Sequence, residues 1–83
     1  MTPAQCRAAR DLLEMTVVEL AGAAAVPVAV IVDYETSLNF VPKVEHIDAM
    51  QAALERAGVV FVEENGHGPG VRLRLKRGGG DAD

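Results

Sequence analysis

Up to Gly58 the apolar residues of this chain recur every three or four positions, and beyond it they recur every two. The first period is that of a helix with one buried face, the second that of a half-buried strand. Thr2-Pro3-Ala4-Gln5 is a capping signature with proline at the first helical position. It predicts a helix to about Leu13, with Cys6, Ala9, Leu12 and Leu13 on one face and Arg7/Asp11 and Arg10/Glu14 as exposed pairs on the other. Thr16 and Glu19 form a second capping box, with Met15 and Leu20 placed as its hydrophobic staple. Two short helices follow: Val17 to about Ala23, a turn through Ala24, Ala25 and Val26, and a restart near Pro27 that ends near Tyr34 and Glu35. A fourth helix, from Lys43 or Val44 to Ala57, sets Val44, Ile47, Met50, Leu54 and Ala57 at helical spacing, and Gly58 is placed to cap it.

Past Gly58 the pattern becomes extended. Val59-Val60-Phe61-Val62 is β-branched and aromatic, residues 63 to 70 are polar and glycine-rich, and Val71 to Lys76 alternates strictly. That is a β-hairpin over about 59–76. Gly66, Gly68 and Gly70 join strand to strand, so they read as a turn rather than as a phosphate cradle, which joins a strand to a helix. An isolated hairpin is marginal in water. Pairing two of them about a two-fold axis predicts a homodimer with Val60, Val62, Val71, Leu73 and Leu75 at its interface. Arg72, Arg74, Lys76 and Arg77 give the last strand a basic edge, read first as cross-strand partners of Glu63 and Glu64 and second as phosphate contacts. Residues 78–83, Gly-Gly-Gly-Asp-Ala-Asp, are expected to be a disordered tail after a single domain spanning 1–77.

Between the third and fourth predicted helices, Thr36 to Val41 is too apolar for a plain loop. Leu38, Phe40 and Val41 either fold back on the core or belong to a partner-binding surface. Composition narrows the rest. The chain has 83 residues, enough for one small core, and the 49% that are apolar are mostly Ala and Val. A net charge of −4 opposes general affinity for nucleic acid. A single cysteine, Cys6, excludes an intrachain disulfide and reads as a small core residue rather than a reactive thiol. No stretch approaches a membrane span and no leader is recognisable, so the expected compartment is the cytoplasm, and the Ala- and Gly-rich style is bacterial. No nucleophile lies beside a base and no Cys/His cluster has metal spacing, while His46 and His67 read as surface residues. The sequence therefore predicts neither an enzyme nor a cofactor.

Thr16, Glu19, Leu20, Ala21, Val26, Ile31, Tyr34 and Glu35 stand in register with a known pattern. The pattern is a capping Ser/Thr, a Glu-Leu-Ala run, a turn Val, a core Ile and a closing aromatic-Glu pair, with Pro42 before the next helix. Over residues 3 to about 57 the chain resembles the Cro and phage-repressor (XRE-like) helix-turn-helix family. The resemblance implies a mainly α fold, namely a compact four-helix domain containing a helix-turn-helix, here followed by the C-terminal β-hairpin. It also implies a dimeric transcriptional regulator with its second short helix in the major groove of duplex DNA.

On that reading Val17, Pro27, Val28, Ala29, Val32, Asp33, Asn39 and Lys43 form the DNA face. Val28 and Ala29 would touch thymine methyls and Asp33 a cytosine amine. Arg7, Arg10, Lys43, Arg72, Arg74 and Lys76 are the candidate phosphate contacts, although Arg7 and Arg10 read first as a solvated face. The family's functional positions match poorly. Val17 stands in place of the usual Gln, Ala25 in place of the turn Gly and Pro27 in place of the cap Ser, and no Lys or Arg occurs from Thr16 to Pro42. Phosphate attraction supplies most of the affinity of ordinary DNA-binding proteins. The alternative is a unit that keeps the fold, has lost the DNA face and binds another protein, for example as an antagonist of a regulator, through Val28, Ala29, Val32 and Phe40.

Overall fold

The structure is a computed structural model, and it describes residues 1–63, 66 and 68–74. Four helices precede a two-stranded antiparallel hairpin: α1 (Pro3–Leu13), α2 (Val17–Ala24), α3 (Val28–Thr36), α4 (Val44–Arg56), β1 (Val59–Val62) and β2 (Gly70–Leu73). This is the architecture expected from the pattern. Leu75 and Lys76, the far end of the expected second strand, and the tail at 78–83 lie outside the described residues.

Two of the four helix starts are closed by capping boxes written in the sequence. Thr2 and Thr16 both form complete capping boxes, with Gln5 and Glu19 as the reciprocal partners. α2 runs one residue further than its pattern indicates and stops at Ala25, whose backbone is left-handed at φ 57°. A β-carbon is disfavoured there, so the turn between α2 and α3 carries strain that glycine would relieve. α3 starts at Pro27 with no side-chain cap. α4 ends through Ala57 onto Gly58, which takes φ 115° before the chain turns into β1.

The core is built from Cys6, Ala9, Leu20, Ile31, Tyr34, Met50, Leu54 and Val59, with Ala21, Ala24, Val26 and Ala53 filling between them. Three residues differ from the expected burial: Leu12, Val44 and Ala57, the last exposed as the C-terminal cap of α4. Leu12 is exposed, and the buried face of α1 is Gln5, Cys6 and Ala9 with Leu13 against it. Val44, expected inside α4, is mostly exposed because it lies in the first turn, ahead of the part of the helix that reaches the core.

The hairpin pairs Val59 with Leu73, Val60 with Arg72, Phe61 with Val71 and Val62 with Gly70. Arg72 therefore sits across from Val60, and the expected cross-strand pairing with Glu63 does not form; Glu64 lies outside the described residues. Alternation puts Val59, Phe61, Val71 and Leu73 on one face and Val60, Val62 and Arg72 on the other. The first face lies on the helices, with Phe61 and Val71 packed against the core. The residues expected at a dimer interface are thus divided between the two faces.

One buried side chain docks the hairpin. Gln5 accepts from the Thr2 amide at 2.8 Å through Oε1, and its Nε2 donates to the Gly70 and Val62 carbonyls at 2.9 and 3.3 Å. The capping residue of α1 is therefore also the polar clamp between α1 and the end rung of the sheet.

Candidate interaction face

α1 and α3 are locked by a charged cluster rather than by apolar packing alone. The Arg10 guanidinium meets the Glu35 carboxylate side-on, Nη2 to Oε1 at 2.6 Å and Nε to Oε2 at 2.8 Å, and its Nη1 donates to the Met15 carbonyl at 3.0 Å. Arg7 Nη1 donates to the Glu35 carbonyl at 2.7 Å, holding the C-terminal end of α3. Cys6, fully buried, donates its thiol to Glu35 Oε2 at 3.1 Å. Burial alone would raise the Glu35 pKa. The hydrogen bonds from Arg10 and Cys6, with the charges of Arg10 and Arg7, outweigh that and hold it below the usual carboxylate value. Burial first, then the bond to Glu35 and its charge, push the Cys6 thiol up to about 12, so it is a core thiol and not a reactive one.

This cluster corrects the reading of both N-terminal arginines. Arg10 is spent on Glu35 rather than on Glu14, and Arg7 donates to the end of α3 rather than pairing with Asp11. The spacing within α1 could not show this, because the acceptor lies on another helix.

The residues expected at the DNA or partner face lie on α2, on α3 and in the connections flanking α3. α2 and α3 are joined by three residues, Ala25 to Pro27, and pack on each other, and α3 turns Val28, Ala29, Val32 and Asp33 outward. Pro27, Asn39 and Lys43 are also exposed, whereas Val17 is half-buried against the core. Pattern reading missed Val18, which is 68% exposed beside it.

The apolar connection between α3 and α4 divides its residues. Phe40 folds back on the core, and Leu38 and Val41 stand out, Leu38 fully and Val41 at 84% exposure. Val28, Val32, Leu38, Val41 and Val44 are five of the eight large apolar side chains left exposed among the described residues. Lys43 is the one cation between Val17 and Val44. The face is apolar with Glu19, Asp33 and Glu45 exposed on the same elements.

Arg72 and Arg74 are exposed on the hairpin, which packs on α1 and α4, whereas α3 packs on α1 and α2.

Among the described residues no group of His, Cys, Asp or Glu could hold a metal ion, and no helix is long and apolar enough to cross a membrane. His46 is half-buried, and His67 lies outside the described residues. Compared with models of known protein families the chain matches none, and no curated protein sequence is significantly similar to it.

Proposed function

We propose that this chain is a helix-turn-helix module of transcriptional regulation that works by binding another protein through the face of α3 and the connection after it. The observation that carries this reading is the chemistry of that face. Val28 and Val32 on α3, Leu38 and Val41 in the connection after it and Val44 at the start of α4 are all exposed, and Lys43 is the one basic residue between Val17 and Val44. An exposed apolar patch of this kind marks an interaction surface, and depletion of charge at its centre is the composition of protein interfaces. Arg10 is held by the Glu35 carboxylate, and Arg7 spends one N–H on the Glu35 carbonyl.

A photo-reactive residue in place of Val32 tests the proposal in cells. It is expected to cross-link to protein, and Val28→Glu in the same chain is expected to abolish the product while the domain stays folded. Cross-links to DNA, or the same products from a control position at exposed Glu55 on α4, would overturn it.

Binding of duplex DNA by α3 is the second reading. It is supported by the resemblance to Cro-type regulators and by the uncapped start of α3 at Pro27, where free backbone amides and the helix dipole favour a phosphate. In either case the assembly we propose is a homodimer formed by the outer side of the hairpin, with Val60 and Val62 contributing. Light scattering should then give twice the chain mass of 8.8 kDa. A single-chain mass at micromolar concentration would contradict it.

A further inference from the structure

A groove of about 540 Å³ runs between the N-terminal half of α1 and the connection after α3. Its walls are mostly apolar: Pro3 and Ala4 on one side, Leu38, Phe40 and Val41 on the other, with Tyr34 also lining it. Two ionic residues line it as well, Arg7 and Glu35. The Glu35 carboxylate is turned away from any ligand, since its side chain is 4% exposed and its oxygens are taken by Arg10 and Cys6. Arg7 is exposed, and one of its five N–H donors is spent on the Glu35 carbonyl, which fixes the guanidinium at the groove wall. A fixed guanidinium beside an apolar trough is complementary to a carboxylate carried among apolar side chains.

Resting on the protein-binding reading above, the geometry points to a specific occupant: an acidic-apolar peptide segment of the partner, whose carboxylate is held by Arg7 and whose apolar side chains lie against Pro3, Leu38 and Val41. A peptide is the fitting source of this chemistry because the groove does not end at its own rim. Thr36, which lines it, follows Val28 and Val32 at four-residue spacing on α3, so the trough continues into the exposed face of that helix. A chain can occupy both, and a small organic acid can fill only the groove.

The test is selection of a phage-displayed library of random dodecapeptides on the immobilised protein. Fluorescence anisotropy of the selected sequences follows, as synthetic peptides, against the wild type, Arg7→Gln, Leu38→Asp and Val28→Glu. The expected sequences combine Leu, Val or Phe with Asp or Glu. Arg7→Gln should weaken binding roughly ten-fold, with the same peptides carrying Gln for Glu losing affinity equally on the wild type and no further on the variant. Leu38 makes no contribution to the core, so Leu38→Asp keeps the fold and should also lose binding, which guards against an unstable Arg7 variant.

Selected peptides that are basic, or that bind Arg7→Gln and Leu38→Asp as well as the wild type, would overturn the groove. If such peptides are lost on Val28→Glu, the protein-binding reading survives without it. Recovery of no binding sequence from the library would overturn the groove and count against both.

Discussion

Replacing Glu35 with Gln should cost this small domain a large part of its stability. The carboxylate accepts two bonds from Arg10, at 2.6 and 2.8 Å, and one from the Cys6 thiol at 3.1 Å, while its side chain is 4% exposed and that of Arg10 14%. Glutamine has nearly the same shape but offers one acceptor oxygen and one amide nitrogen. Whichever way it is turned, an N–H of the amide meets an N–H of Arg10, and a partly buried guanidinium loses its counter-charge. Removing one partner of a buried pair costs about 3–5 kcal/mol, and the oxygen that remains puts Glu35→Gln at the lower end, about 2–4 kcal/mol. Small domains have only about 5–15 kcal/mol in total. Urea unfolding followed by far-UV circular dichroism at pH 7 should therefore show the midpoint falling by at least about a tenth.

The pH dependence gives a second, independent reading. Because the folded-state pKa of Glu35 is depressed, its contribution is complete above the unfolded carboxylate pKa of about 4.3 and is lost as pH falls through the lower folded value. The wild type should lose stability across that acid range more steeply than Glu35→Gln. A loss below about 1 kcal/mol at pH 7, or parallel acid limbs for the two proteins, would show that the cluster contributes no more than a surface pair. Replacing both partners with apolar residues, Arg10→Met with Glu35→Leu, should recover much of the loss, since the cost lies in the unpaired charge.

Three further outcomes follow from single residues. Ala25→Gly should raise stability by about 1 kcal/mol, because Ala25 holds φ 57° where a β-carbon is disfavoured; a lower urea midpoint would refute the strain. Gln5→Glu keeps the helix cap but points a carboxylate at the Gly70 and Val62 carbonyls, so hydrogen exchange of the hairpin amides should accelerate while α4 stays protected; uniform exchange would refute the clamp. Cys6, with its thiol at about 12, should resist alkylation in the native state, and stability should fall between about pH 8.5 and 12 as the unfolded thiol ionises first; fast native alkylation would refute its burial.

The elements were legible in the sequence because their ends are marked locally. Thr2/Gln5 and Thr16/Glu19 announce two helix starts, Gly58 announces the change to strands, and each signal lies within four residues of what it controls. What escaped was long-range or set by register. Arg7 and Arg10 have acids at pairing distance in sequence, and only the approach of α3 reveals that Glu35 takes both of them. The hairpin register, which sets Arg72 across from Val60, depends on where the turn closes, and the polar stretch from 63 to 69 marks no single closing point. In the connection after α3, Leu38, Phe40 and Val41 have similar hydrophobicity and opposite fates, and periodicity has no hold on a segment without regular structure. The exposed face of α3 was legible residue by residue. Leu38 and Val41 were legible beside it only as one of two alternatives, and Val44 reads as a core position.

The central claim, that the α3 face serves a protein and not phosphate, is tested most directly by fluorescence anisotropy of a labelled random duplex, titrated with the protein at low salt and again at rising salt. A surface with Lys43 as its one cation between Val17 and Val44 predicts no saturable binding at micromolar protein and no dependence on salt. Saturable binding that weakens steeply with salt, and more weakly so in Lys43→Ala, would contradict the claim and give the face back to DNA.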